Sequence, residues 1–361
     1  MVTGTSHILW FDDLAEGSWS LVGGKNASLG EMMRRGVRVP PGFAVTTDAY
    51  DTFIQHAGLR QPIHEALSGL DYHDAAAVEL ASAEVRRLIE SAPVPRSLED
   101  ELAASYAALG EKLGTPRPSV AVRSSGTGED TVEASFAGQA ETYLYVEGRE
   151  SLAVHTRRCW SSLFTAQAIS YRARMGLPAD SISISVGVQS MVDSRVAGVM
   201  FTLSPVSGDR SKIVVEASWG LGLSVVGGEV TPDDYWVDKV TLGILRRSIC
   251  HKLVKYVPDP GAGGVACVDV PPEQQEVPCL SDQEVTELAR LGKALEASYG
   301  SARDIEWAID GRLAFPDNIL MLQCRPETVW SNRPVEPTAH ARASSLDYVL
   351  GAMVPTPRLK C

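Results

Sequence analysis

An arginine, a turn of small residues and several carboxylates lie close together between Ser119 and Tyr143. The alternation there predicts a short strand that places Val120 and Val122 on one face and Arg123 on the other. The strand leads into residues 124–128, Ser-Ser-Gly-Thr-Gly, whose N–H groups and hydroxyls can bind anionic oxygens. A divalent cation would find ligands in the carboxylates that follow: Asp130, Glu133 and Glu141. This equipment suits a nucleotide polyphosphate, although an exposed turn after a strand has the same pattern.

A second group of polar residues lies in residues 304–325, which predict two strands joined by a loop. The predicted apolar faces are Ile305, Trp307 and Ile309 on the first strand, and Leu320, Leu322 and Cys324 on the second. Glu306, Gln323 and Arg325 would then meet on the polar side. A carboxylate and an amide oxygen are ligands suited to Mg²⁺, and a guanidinium suits phosphate. A surface hairpin with a salt bridge would show the same pattern.

Two further polar residues are placed by their elements. Lys25 follows the pair Gly23-Gly24 and is expected at the start of a helix that Asn26 or Ser28 would cap. A lysine at a helix start can pair with phosphate, although the spacing is not that of a P-loop. Gln189 ends an alternating strand on its polar face, where an amide can read the edge of a base. No complete G-x-G-x-x-G is present around residues 126 or 220, which disfavours a Rossmann dinucleotide site.

The elements around these residues mix helices and strands. Periodicity predicts helices over residues 48–57, 74–91, 97–113, 151–175 and 281–299. Ser97 with Asp100 and Ser281 with Glu284 resemble capping boxes at two of the helix starts. Residues 258–275, rich in proline and glycine, predict an exposed loop.

Composition restricts the class of protein. The chain has 361 residues and a net charge of −12, which argues against binding to nucleic acid. No apolar run approaches the roughly 20 residues of a membrane span, and the N-terminus lacks the basic and apolar regions of a signal peptide. The six cysteines form no C-x-x-C pair, which is typical of reduced thiols. We therefore expect a cytoplasmic protein without a membrane or nucleic-acid partner.

The chain resembles the nucleotide-binding domain shared by phosphoenolpyruvate synthase, pyruvate phosphate dikinase and rifampicin phosphotransferase. The resemblance rests on blocks that occur in the family's order over about residues 8 to 330: GGKNASLGEM, VRSSGTGEDTVEASFAGQAETY, VQSMV, AGVMFTLSPVSG, EASWGLGLSVVGGEVTPDDY, DIEWAID and LQCRPET. It implies an α+β fold of the ATP-grasp type, with ATP held between two subdomains. The expected divisions are residues 1–190, with a helical insert at 48–113, residues 191–330, and a tail at 331–361.

The resemblance also implies roles for single residues. Lys25, Arg123 and Arg325 would hold phosphates, and Gln189 would lie at the adenine end. Glu306 and Gln323 would ligate Mg²⁺. Gly138 and Thr142, which periodicity does not single out, would belong to the loop over the nucleotide. Many members have Ala-Thr-Ala where this chain has Gly126-Thr127-Gly128, which predicts a looser loop without loss of a catalytic group.

Family members cleave ATP to AMP and pass a pyrophosphoryl group to a histidine on a swivelling domain. His340 lies in a four-residue match to the setting of that histidine, but the preceding glycines are missing. We therefore expect the histidine on a partner subunit, as in systems that phosphorylate phenol or cresol. The alternatives are the ATP domain of a phosphoenolpyruvate synthase or an antibiotic phosphotransferase, a self-contained ATP-grasp ligase that releases ADP, and a non-catalytic nucleotide sensor.

Overall fold

The structure is a computed structural model that describes residues 7–127, 141–177, 183–259, 261 and 263–330, with the backbone of 130–131 and 134–135. Its helices are α1 (Trp19–Arg34), α2 (Thr47–His56), α3 (Arg60–Leu67), α4 (Ala75–Ser91), α5 (Arg96–Leu113), α6 (Arg149–Ser161), α7 (Ala166–Arg174), α8 (Leu223–Val226) and α9 (Asp282–Tyr299). Its strands are β1 (Ile8–Trp10), β2 (Gly42–Val45), β3 (Val120–Gly126), β4 (Asp130–Thr131), β5 (Ala134–Ser135), β6 (Thr142–Val146), β7 (Ile184–Ser190), β8 (Ser194–Phe201), β9 (Lys212–Trp219), β10 (Asp233–Asp238), β11 (Ile244–Ser248), β12 (Val254–Pro258), β13 (Val265–Asp269), β14 (Arg303–Asp310) and β15 (Ile319–Pro326).

The first large sheet has five strands in the order β1-β2-β7-β3-β6, and every neighbouring pair is antiparallel. One face carries Val120 and Val122 of β3 and Val186 and Val188 of β7 into a core shared with α2 to α7. The predicted alternation of β3 and β7 is therefore confirmed. Because successive side chains of a strand point to opposite faces, Arg123 is left on the face away from this helical layer.

The second large sheet has six antiparallel strands in the order β11-β10-β9-β8-β14-β15. Ile305, Trp307 and Ile309 of β14 are buried in a core that α9 helps to form, as their spacing predicts. The capping box of α9 is present, with the Ser281 side chain accepting from the Glu284 N–H, and the prediction is confirmed.

Helix α1 connects the two sheets. Its apolar residues share a core with the second sheet, whereas its Asn26 amide donates to the Ser185 hydroxyl of β7 at 3.1 Å. The Ser28 hydroxyl donates to the carbonyl of Cys324 in β15 at 2.5 Å. These bonds use the side chains predicted to cap the helix, so that prediction is wrong. Helix α1 lies in the predicted N-terminal subdomain, but its apolar residues belong to the core of the second sheet. The predicted division at residue 190 stays a prediction.

Other local predictions fail where context overrides local pattern. Helix α5 begins at Arg96 after Pro95 and has no side-chain cap, so the expected box of Ser97 and Asp100 is wrong. The predicted helix 151–175 is broken by a 3-10 turn and by the extended residue Thr165, which caps α7. Part of the predicted loop 258–275 belongs to the hairpin of β12 and β13.

Within the described residues, no helix combines the length and the apolar character needed to cross a membrane.

Candidate functional site

A cavity of about 210 Å³ lies between the two large sheets. The first sheet contributes Arg123 and Gln189, and the second contributes Glu306 and Leu322. Thr142 lines the same cavity from β6, where it is paired directly with Arg123 of β3. Four of the residues predicted to bind nucleotide therefore line one cleft, although they come from distant parts of the chain.

Arg123 spans this cleft and contacts the second sheet directly. One guanidinium nitrogen donates to the Gln323 side-chain oxygen at 2.6 Å and to the Glu306 carboxylate at 3.2 Å. The other terminal nitrogen donates to the Leu322 carbonyl at 3.2 Å. The Arg123 side chain is only 18% exposed, so its charge lies in a poorly hydrated position that favours strong electrostatic interactions.

A β-bulge determines which side chains of β15 face the cleft. Glu306 of β14 is opposite Gln323, but the next residue, Trp307, is opposite Met321, so Leu322 has no partner in the ladder. Met321 and Cys324 are in the core, whereas Leu322 lines the cleft. The predicted common face of Leu322 and Cys324 is therefore wrong, because strict alternation does not anticipate an extra residue.

A sharp turn in α1 positions Lys25. Helical geometry is interrupted at Gly23, with φ 69° and ψ 169°, so Lys25 lies at the start of the second helical piece, as predicted. A Cβ on Gly23 would lie 2.3 Å from the Ser125 carbonyl oxygen, and only glycine permits this approach. The Ser125 hydroxyl accepts from the Asn26 N–H at 3.4 Å and donates to the Val22 carbonyl at 3.0 Å. Helix α1 is thus held by β3 at the turn that precedes Lys25.

Ser124 contacts both of the predicted phosphate-binding cations, one through the chain and the other through a hydrogen bond. It follows Arg123 in β3, and its carbonyl accepts from the Lys25 ammonium at 3.3 Å. Lys25 and Arg123 are therefore supported by the same segment of β3. This segment, Ser124 to Gly126, is the end of the strand rather than the turn that the sequence predicts.

Gln189 is buried and lines the cleft, and its amide donates to the Pro40 carbonyl at 3.4 Å. Arg325 is 44% exposed and pairs with Asp304 on the neighbouring strand at 2.8 Å. The structure thus places Glu306 and Gln323 against Arg123, and gives Arg325 a carboxylate partner of its own. Gly138 and the side chains of Asp130 and Glu133 lie outside the described residues.

Two carboxylates of the second sheet, Asp304 and Glu216, are not among the site residues predicted from the sequence. Asp304 is opposite Arg325, and burial raises the pKa of its carboxyl, opposed by the guanidinium of Arg325. Glu216 of β9 and Glu306 of β14 both pair with Val199 of β8, so all three share one row of the sheet. Burial, with the charges of Asp234 and Asp304, raises the pKa of Glu216. The Asp-Ile-Glu pattern of residues 304–306 puts Asp304 on the same face as Glu306 and could have indicated it. The relation of Glu216 to Glu306 follows only from the order of the strands.

Residues 19–345 match the family described as pyruvate phosphate dikinase, AMP/ATP-binding domain. The chain belongs to this family. The prediction of an α+β fold of the ATP-grasp type is confirmed by this membership together with the mixed helices and antiparallel sheets. The site between the sheets is accordingly a candidate nucleotide site.

Relatives of this chain match it over most of its length. A protein of Staphylothermus marinus named probable phosphoenolpyruvate synthase is 44% identical over 93% of this chain and 43% of its own length. A protein of Methanocaldococcus jannaschii with the same name is 44% identical over 89% of this chain and 26% of its own length. The phosphoenolpyruvate synthase of Aeropyrum pernix is 41% identical over 92% of this chain and 43% of its own length. The chain spans less than half the length of these relatives.

The side-chain oxygens of Glu306 and Gln323 are ligands of the type that Mg²⁺ takes in proteins. Both bond to one nitrogen of Arg123, so a small cation near that position could reach both. Within the described residues, no group of three or more His, Cys, Asp or Glu side chains is arranged to hold a metal. A cation here would therefore complete its coordination with phosphate oxygens and water, as Mg²⁺ does in nucleotide sites.

Proposed function

We propose that this chain binds Mg·ATP in the cleft between the two sheets and is the ATP-cleaving part of a phosphoenolpyruvate-synthase-type phosphotransferase. The observation that carries the proposal is the Arg123 guanidinium, which bonds across the cleft to Glu306 and Gln323 in a member of an ATP-binding family. A structural salt bridge needs no cavity around it, whereas a nucleotide site does.

In this proposal the first sheet and α1 provide the cations. Lys25 and Arg123 hold the phosphates, and Gln189 lies at the adenine end of the cleft. Gly138 belongs to the loop over the nucleotide, whereas Thr142, which was expected in the same loop, begins β6 and contacts the nucleotide from the strand beside Arg123. Several preorganised donors hold the triphosphate in position for displacement of AMP, and they stabilise the charge that develops on the phosphate oxygens.

The second sheet supplies the groups for metal and phosphate. Glu306 and Gln323 hold Mg²⁺, which when bound neutralises charge on the phosphate oxygens. Arg325, two residues after Gln323 on β15, contacts phosphate, and its charge is balanced by Asp304. When the nucleotide binds, the Arg123 N–H groups would donate to it instead of to Glu306 and Gln323. The buried guanidinium is therefore paired both with and without nucleotide.

We propose that ATP is cleaved to AMP and that its β,γ-pyrophosphoryl group goes to a histidine outside the described residues, on another domain or a partner subunit. Release of the terminal unit as inorganic phosphate then leaves one phosphoryl group on that histidine for the acceptor. The acceptor that we favour is pyruvate, because the relatives are named for the synthesis of phosphoenolpyruvate. The phenol or cresol acceptor expected from a split system has no support from these relatives. His340 lies outside the described residues.

The test combines the chain with Mg²⁺, labelled ATP and a polypeptide that carries the swivelling histidine and an acceptor site, with pyruvate, phenol or neither as acceptor. We expect binding of Mg·ATP by the chain alone, and AMP with an acid-labile phosphate on the partner histidine when both are present. Pyruvate should then be phosphorylated, and phenol should not.

Each arm of this test can contradict a part of the proposal. Formation of ADP with an acyl phosphate would favour the self-contained ligase. Phosphorylation of phenol would restore the acceptor predicted from the split organisation. Absence of Mg·ATP binding would refute the proposed function as a whole.

A further inference from the structure

A network of polar side chains links the cleft to the helical layer, and its centre is Glu141. Glu141 immediately precedes Thr142, the cleft residue paired with Arg123. Its carboxylate bonds to Arg86 of α4 at 2.8 Å and accepts from the Tyr143 hydroxyl. Glu141 therefore ties the start of β6 to a helix that contributes nothing to the cleft lining.

Glu141 makes two hydrogen bonds to Ser124, the residue that follows Arg123 and accepts from Lys25. The Ser124 N–H donates to the Glu141 carbonyl at 3.0 Å. The Glu141 N–H donates in return to the Ser124 hydroxyl at 3.1 Å. Because the Ser124 carbonyl accepts from Lys25, and Ser124 follows Arg123, the position of Glu141 is transmitted to both cations.

The helical end of the network is itself anchored. Arg86 lies 3.7 Å from the Glu90 carboxylate one turn later on α4, and Glu90 accepts from the Ser161 hydroxyl at the end of α6 at 2.6 Å. The Tyr143 ring packs against the His155 ring of α6, with centroids 4.7 Å apart. Burial, with its hydrogen bond to Glu141, raises the pKa of Tyr143, so the hydroxyl stays protonated as the donor.

We propose that the Arg86–Glu141 ion pair is a positioning device that fixes Ser124, and with it Lys25 and Arg123, at the triphosphate end of the cleft. Neither Arg86 nor Glu141 lines the cleft, and Glu141, which the sequence offers as a cation ligand, is paired with Arg86 instead. This inference rests on the proposed function, because it assumes that Lys25 and Arg123 bind the phosphates. Helix α4 would then contribute to the preference for ATP over AMP, although none of its residues lines the cleft.

The experiment measures dissociation constants for Mg·ATP and for AMP by calorimetry, using the full chain. The variants are Arg86→Gln, Glu141→Gln and the double variant. Glu141→Gln keeps an oxygen that can accept from Tyr143 and removes the charge. Arg290→Gln is the matched control, since Arg290 makes a comparable pair with Glu287 on α9.

Each single variant should raise the dissociation constant for Mg·ATP about fivefold, which is the scale of a partly exposed ion pair. The double variant should be no weaker than the weaker single variant. AMP, which lacks the β- and γ-phosphates, should bind each variant about as well as it binds the unaltered chain. The Arg290 control should change neither value.

Three results would overturn the inference. Unchanged Mg·ATP affinity in both single variants would show that the pair does not position the cations, and would leave the proposed function standing. Equal losses for Mg·ATP and AMP would show a general structural role instead. Failure of the unaltered chain to bind Mg·ATP would refute the proposed function and this inference together.

Discussion

Replacing Arg123 by alanine removes the group that joins the two sheets across the cleft. The substitution deletes donors to Gln323 at 2.6 Å, to Glu306 at 3.2 Å and to the Leu322 carbonyl at 3.2 Å. It also leaves the Glu306 carboxylate without its guanidinium, facing the position where we place the triphosphate. Both effects weaken nucleotide binding, and they act in the same direction.

The magnitude follows from the kind of bond that is lost. A hydrogen bond to a charged group contributes about 1.5–3 kcal/mol, so the dissociation constant for Mg·ATP should rise about 10- to 100-fold. The rate of AMP formation with a histidine partner should fall by on the order of 10²–10³, as when a preorganised donor is removed. Arg123→Lys should recover part of the binding, because it keeps the charge and loses the planar fork.

The assay is calorimetric titration with Mg·ATP, followed by chromatographic measurement of AMP in the presence of the partner. Arg290→Ala is the control, since it removes an arginine paired with Glu287 on α9 and leaves the cleft lining intact. Binding and turnover of Arg123→Ala close to those of the unaltered chain would remove Arg123 from the site and refute the reasoning.

Three further substitutions test how the fold supports the site. Gly23→Ala should cost about 2 kcal/mol in the free energy of unfolding, because Gly23 has a positive φ and a Cβ there would lie 2.3 Å from the Ser125 oxygen. The substitution should also weaken Mg·ATP binding. An unchanged urea midpoint would contradict this prediction. Lys252→Met should lower the free energy of unfolding by about 3–5 kcal/mol, because it removes a 2.5 Å ion pair and leaves the fully buried Asp233 without its cation. A loss below about 1 kcal/mol in urea unfolding would be inconsistent with this geometry. Ser281→Ala should cost about 1 kcal/mol through loss of the α9 cap without altering Mg·ATP affinity, and calorimetry together with thermal unfolding separates the two effects.

The parts of the fold that sequence predicts well are those in which one local pattern dominates. Strands β3 and β7 alternate cleanly because one face of each is buried against helices, and this correctly placed Arg123 away from that layer. The Ser281 capping box uses only groups within one helical turn, so it needs no tertiary information.

The predictions that failed concern contacts between distant segments. Asn26 has the chemistry of a helix cap, but Ser125 from another strand takes that place and Asn26 bonds to β7 instead. The bulge at Leu322 cannot be read from alternation, although it is what brings the Leu322 carbonyl and Gln323 to the same guanidinium. For the same reason, the link between Arg86 and Glu141 becomes visible only when the fold brings α4 to the residue that precedes β6.

The most direct test of the central proposal is a crystal structure of the chain with Mg²⁺ and a non-hydrolysable ATP analogue. We predict the triphosphate between Lys25 and Arg123 on one side and Glu306 and Gln323 on the other, with the metal bound by the last two. A nucleotide bound elsewhere, with Arg123 still bonded to Glu306 and Gln323, would contradict the account.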